Sequence, residues 1–493
     1  GAISAIKSES EINGDVTANG NVSSIEGSDV GGDVTTVDGS DGTVEVESSD
    51  IGGAIDADGK ISAIKSESRV AGSVTAGGSI DEIKNSELGD SVTTTDGGNV
   101  TVESSTVGGS MTVDGTVSKI KASSVGGRIE AAEVDQLKGA RIGGGVTATD
   151  GTAKAITIER NNERSVVCGS VETNGRVEKV KNSQVNGSVR AAEVGKLKGE
   201  KTEVGGNVET TDAAAELNIK NRSTVFGSVS AAGPVPEINS STVEGNVTAG
   251  GRIKIKGSEV CTATGAGLKT ENGGKVTVKG DSTVGGSIDA AGRVEKIKNS
   301  TVEGAVTSDG DATIKGSSAT VKGSVTTKNG GSVTVESATI EAGIDADGEV
   351  TKIKSASITG DVTAGGPVRK IKATDAVGAV TADGDVTVKD STTGAITTTT
   401  GSDGDLTLNS STVEGAVSLG GEVTKIKGST VEGGVTTGGE VRKIKNSRIE
   451  GTVDAGGDVL LKGSTTATGD VLAEGSVTVS GSATVDGDIK ENQ

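Results

Sequence analysis

Aliphatic residues return in one phrase along the chain. Val294 to Gly310 reads VEKIKNSTVEGAVTSDG, Val350 to Gly366 reads VTKIKSASITGDVTAGG, and Val423 to Gly439 reads VTKIKGSTVEGGVTTGG. Aligned on the opening aliphatic residue, the phrases begin at Ile3, Val22, Val44 and Ile61 and continue to Val441, Val459 and Val477, giving 26 units spaced by 17 to 23 residues. A fixed period this short predicts stacked supersecondary units. Val, Ile and Thr alternate between Gly, Asn and Asp turns, the pattern of short strands. The expected fold is all-β: a single elongated β-solenoid, or stacked β-arch array, over residues 1–493. It has no helical domain, linker or separate cap.

Within one unit, Val302, Gly304, Val306 and Ser308 alternate with Glu303, Ala305 and Thr307, which predicts one half-buried strand with a small inner face. Val294 and Ile297 are three residues apart, so a corner or bulge is expected between them. One coil per unit, at about 4.8 Å per strand, gives a stack on the order of 125 Å long. Units opening V-x-V, at Val44, Val100, Ile156, Val276 and Val333 with Leu217 in phase, recur every 56 to 61 residues. Glycine-, threonine- and acid-rich insertions accompany them, as at Thr93 to Asn99, Thr210 to Glu216 and Thr326 to Ser332. A plain solenoid does not need this super-repeat of about 57 residues, whereas a serpentine of three arches per layer would.

Composition narrows the function. With 31% hydrophobic residues, 80 Gly and one aromatic, Phe226, composition alone leans toward disorder, and the periodicity overrules it. The net charge of −21 disfavours nucleic acid, whose binders carry a positive face and usually aromatic platforms. KIK phrases such as Lys119 to Lys121 read as solvated strand flanks, offset by acids such as Glu295 and Glu303. No apolar run is long enough for membrane insertion. The chain has no His, Tyr or Trp, which excludes histidine general bases, histidine metal clusters and nucleophile–histidine triads. No carboxylate pair stands out among 69 acids, so no enzymatic activity, small-molecule substrate or cofactor is expected. Asp38-Gly-Ser-Asp41, Asp309-Gly-Asp311 and Asp403-Gly-Asp405 lack the spacing of a calcium loop and read as turn chemistry. Eight N-x-S/T sequons permit glycosylation.

Three features point to assembly. Only Gly1 and Ala2 precede the first unit and the last pattern runs through Ile489, so Ile3 and Ile6 at one end, and Val477, Val479, Val485 and Ile489 at the other, are candidate polymerisation edges. End-to-end pairing is heterologous and continues into a homo-polymer. Cys168 and Cys261, expected to face outward five units apart, about 24 Å along a simple stack, are candidates for an intermolecular disulfide; free surface thiols are the alternative. A first residue that is Gly rather than Met, with no basic-plus-apolar leader, suggests a secreted, cell-surface product whose signal is removed; an edited or trimmed chain is the alternative.

The phrase STVEGAVTSDGDATI from Ser300 resembles the coils of bactofilins, polymer-forming β-helix proteins. The long, aromatic-free, uncapped array is also similar to the amyloid-like extracellular sheath proteins of methanogenic archaea, whose β-arches join into hoops around the cell. That resemblance implies a structural subunit of an extracellular sheath, tube or filament. A monomeric surface adhesin or stalk would need an anchor or a distinct tip. An ice- or mineral-binding solenoid would need regular Thr or Asp ladders, to which Thr35, Thr94, Thr326 and Thr436 contribute irregularly.

Overall fold

The computed structural model describes residues 1–37, 42–150, 155–374, 377–399 and 403–492. The chain is all-β, a parallel β-solenoid of about 26 turns with no helix among the described residues. It falls into two compact units, Gly1–Asn246 and Val247–Gln493, each taken by itself below.

A coil has three sides. In the second unit, the coil opening at Val294 runs through strands Val294–Lys298, Thr301–Val302 and Val306–Ser308. Each pairs in parallel with its counterpart in the following coil: Val294 with Ala312, Thr301 with Thr320, Val306 with Val325. The first unit is built the same way, with Val22 beside Val44, Asp29 beside Asp50 and Val34 beside Ile55. Partners therefore lie one repeat away, not one super-repeat away, and the serpentine alternative fails.

The opening aliphatic residues point inward. Val22, Ile61 and Val100 in the first unit, and Val276, Val333 and Val423 in the second, are fully buried. Ala, Val, Ile and Leu fill nearly all of the interior, so each side chain adds only about 1.5 to 3 kcal/mol and stability accumulates over many interfaces.

The irregularity expected between Val294 and Ile297 is a bulge. Val276 sits beside Val294 and Val278 beside Ile297, with a register shift between them. Two V-x-x-I strands stack without a shift, as Val423 on Val441 and Ile426 on Ile444. The extra residue stays outside the ladder, and Pro236, inside the strand Val235–Asn239, occupies this place, where no N–H is required. The single strand expected from Val302 to Ser308 is instead two strands separated by a corner at Glu303–Ala305. A Cβ on Gly304 would come within 2.6 Å of the Ser287 backbone nitrogen, so the chain turns where only glycine fits.

Corners carry the remaining order. After the long side of most coils, one residue takes the left-handed conformation (Ser104 φ 50°, Asn446 φ 49°) and the next is a buried serine; Ala338, Ala356 and Thr374 take its place in others. The Ser86 N–H donates to Ser105 Oγ (3.1 Å) and the Ser105 N–H to Ser123 Oγ (3.1 Å). In the second unit, the Ser411 N–H donates to Ser429 Oγ (3.1 Å) and the Ser429 N–H to Ser447 Oγ (3.2 Å). Each hydroxyl also donates two residues back, as Ser105 Oγ to the Glu103 carbonyl (2.7 Å).

The other two corners use carboxylates, amides and hydroxyls in the same way. At the second corner, Asp33 and Ala54 N–H groups donate to Asp15 Oδ1 (3.0 Å) and Asp33 Oδ1 (2.8 Å). At the third, Ser332 N–H donates to Asp311 Oδ1 (2.9 Å). Most of the long third corners are closed from inside: Thr94, Thr270 and Thr327 Oγ1 donate to the carbonyls of Gly98 (2.8 Å), Gly274 (2.8 Å) and Gly331 (2.6 Å). Ala76 and Ala364 take the same inner place before short Gly-Gly corners. Thr210, its hydroxyl buried with no hydrogen-bond partner, and Ala148 are exceptions.

Replacing Ser105 by Ala leaves the buried Ser86 N–H without its acceptor. Denaturant unfolding should show a loss of about 1 to 3 kcal/mol, and Thr106→Ala, on the neighbouring exposed position, should change stability by less than about 0.5 kcal/mol.

Candidate functional site

Each of the six edge residues pairs on one side only. Ile3 lies beside Val22 and Ile6 beside Ile25; Val477, Val479, Val485 and Ile489 lie beside Val459, Leu461, Ala467 and Val471. The outer edges have no strand beside them among the described residues. Aliphatic positions that are fully buried in interior coils open here: Val479 is 40% and Ile489 47% exposed, and Ile3 and Ile6 are half-buried. Part of the last edge is occupied by its own chain, because Glu491 Oε1 accepts the Val477 N–H (2.7 Å).

The cysteines differ from the expectation. Cys168 is exposed and free, as expected of an outward position. Cys261 is fully buried, and desolvation pushes its thiol up to about 11. The cause is local. Val302 reaches Val306 through a three-residue corner, whereas Val260 reaches Leu268 through seven residues, and Cys261 is left-handed with φ 56° at the start of that insertion. A disulfide between molecules through Cys261 is therefore ruled out in the folded coil.

The acidic clusters resolve into corner acceptors. Asp311 and Asp405 Oδ1 take N–H groups of the following coil, the latter from Glu422 (3.0 Å), while Asp38 to Asp41 lie outside the described residues. No group of three or more Cys, Asp or Glu is placed to hold a metal among the described residues. Of the threonines considered for a regular ladder, Thr94 points inward. Thr326 and Thr436 lie in outward rows that mix Thr with Asp345 and Asp454. No described helix is long and apolar enough to cross a membrane.

The KIK phrases, expected to be solvated strand flanks, form one row in each unit. The lysine that ends each long side stacks on its counterpart, because parallel pairing places like positions about 4.8 Å apart. In the first unit the row is mixed: Lys65 and Lys84 lie between Glu47 and Glu103, Lys121 and Lys138 between Glu103 and Glu159, and Lys181, Lys198 and Lys220 then run together to Asn239. Ion pairs cross it, as Lys7 to Glu26 (2.7 Å) and Lys65 to Glu47 (3.3 Å). In the second unit the row is Lys256, Lys279, Lys298 and Lys315, then Glu336, then Lys354, Lys372 and Lys389, then Asn409, then Lys427, Lys445 and Lys462. Only Lys315, with Glu336 (3.0 Å), and Lys389, with Asp390 (3.9 Å), have ion-pair partners among the described residues. Glu295 and Glu303, expected to offset these lysines, pair elsewhere, with Arg293 (3.2 Å) and Lys322 (2.5 Å). Like unit charges 4 Å apart in water repel by about 1 kcal/mol, so the uniform row works against the fold.

Glu336 is the row's one acid in this unit. Hydrogen bonds from Lys352 and then Lys315 hold its carboxyl down to about 2. Comparison with protein-family models, curated proteins and solved structures finds no match to this chain.

Two outcomes follow. A thiol reagent should label Cys168 in native protein and Cys261 only after denaturation, read by mass spectrometry of the peptides. Because the Glu336 carboxyl is depressed, its contribution is complete above its ordinary value of 4.5 and is lost as the pH falls toward 2. Thermal melts between about pH 5 and pH 2 should therefore show a shallower decline for Glu336→Gln than for the unaltered protein.

Proposed function

We propose that the protein is a structural subunit that lengthens by strand pairing with further copies of itself, building an extracellular sheath, tube or filament. The observation that supports this is the opening of the inner aliphatic rows at Val479 and Ile489, beside strand edges that pair on one side only. An added copy would cover these residues and supply backbone partners at roughly 0.5 to 1.5 kcal/mol net per hydrogen bond. The contact joins two different surfaces, so each addition leaves another open edge. Glu491 on the Val477 N–H is displaced as the neighbour docks. The chain's chemistry suits a scaffold: it has no histidine, and its acids at the corners serve as backbone acceptors.

Sedimentation velocity tests the reading. The unaltered protein should form species that grow with concentration, and Val479→Lys with Ile489→Lys should sediment as single chains, since charges then meet at the junction. Single chains at every concentration of the unaltered protein, or polymers undiminished in the double variant, would overturn it.

A further inference from the structure

We infer that the lysine row of the second unit is a binding track for a linear carboxylated polysaccharide, a polyuronate. The inference does not rest on self-assembly. It rests on a contrast between two rows built by the same fold. In the first unit, glutamates at Glu47, Glu103 and Glu159 interrupt the lysines as far as Lys138, with ion pairs at Lys65 and Lys121, and a single group of three, Lys181, Lys198 and Lys220, follows without an acid inside it. The second unit carries ten lysines in groups of four, three and three, separated by Glu336 and Asn409, and most lack a counter-charge among the described residues. Within a chain of net charge −21, one sustained basic row is a local inversion of sign that an external polyanion would neutralise.

The spacing and the residue type select the ligand. Parallel coils present one ammonium per strand at about 4.8 Å, and each sugar ring of a 1,4-linked uronate polymer advances by about the same length and carries one carboxylate. Phosphate recognition favours the arginine fork, and the row contains no arginine. Single-stranded nucleic acids use aromatic platforms, and the second unit has no aromatic residue. Lys298, Lys354 and Lys427 are exposed.

The test titrates full-length protein with size-defined polygalacturonate and reads binding against salt concentration. Affinity should fall as salt rises, because bound lysines release the polymer's counterions. Changing Lys354, Lys372, Lys427 and Lys445 to Gln should weaken binding by about tenfold or more and flatten the salt slope by roughly one unit per lysine. Arg at the same four positions should retain it. Gln at Lys65, Lys84, Lys121 and Lys138, the pairs set between glutamates, should change affinity less than about twofold. The Gln variant of the uniform row should also melt at or above the unaltered protein, since its self-repulsion is relieved. As a readout independent of variants, bound polygalacturonate should shield Lys354, Lys372 and Lys427 from acetylation in the unaltered protein while Lys65 remains reactive. Absence of binding at low salt, equal losses in the two Gln variants, uniform acetylation, or tighter binding of an oligonucleotide or polyphosphate of matched charge would overturn the inference.

Discussion

A corner N–H in this fold lies off the strand ladder and reaches for the neighbouring coil, and the structure depends on a short side-chain oxygen being there to meet it. Buried Ser105 and Ser429 do this after the long side, and Asp33 and Asp311 at the other corners. Where serine stands, it pairs a buried donor beside a core of small aliphatic groups; Ala319, Ala338 and Ala356 fill the same buried place in three successive coils and leave the strand ladder to hold them. Glycine and left-handed residues shape the bends; the oxygens hold one bend on the next.

The same constraint organises the surface. Uniform parallel register makes every coil repeat its neighbour's side-chain positions, so any residue type that recurs in the phrase becomes a row. Serine rows are buried, threonine rows are mixed with aspartate, and the lysine row is interrupted by several acids in one unit and by Glu336 alone in the other. Stability alone would favour alternating charges everywhere, which is why the uncompensated stretch stands apart from the rest of the scaffold.

Much of the fold was legible because period and phase are the same statement in a solenoid. Aligning the chain on Val22, Val44 and Ile61, or on Val423, Val441 and Val459, reproduces the observed strand neighbours, and the V-x-x-I spacing announces its bulge. Alternation across Gly304 misled, since inward and outward positions can alternate around a corner as well as along a strand. The orientation of Cys261 was hidden by an insertion that breaks the phase for a single coil. The serine two residues after the lysine in KNS and KGS phrases, as at Ser86, Ser183, Ser300, Ser429 and Ser447, looked like ordinary turn composition, although its recurrence was the signal of the buried ladder. The lysine row was written in every KIK, and it became visible as a surface only once the register placed those phrases side by side.

Thr94, Thr270 and Thr327 close long corners from within, while alanine takes the same place before short Gly-Gly corners, as at Ala76 and Ala364. Frame and excursion are thereby decoupled: the hydroxyl fastens the base of the loop, and the number of residues beyond it does not enter the pitch. Such corners are ports at which peptide cargo, epitopes or enzyme tags can be spliced in, with the repeating framework carrying them at addresses fixed by the coil number.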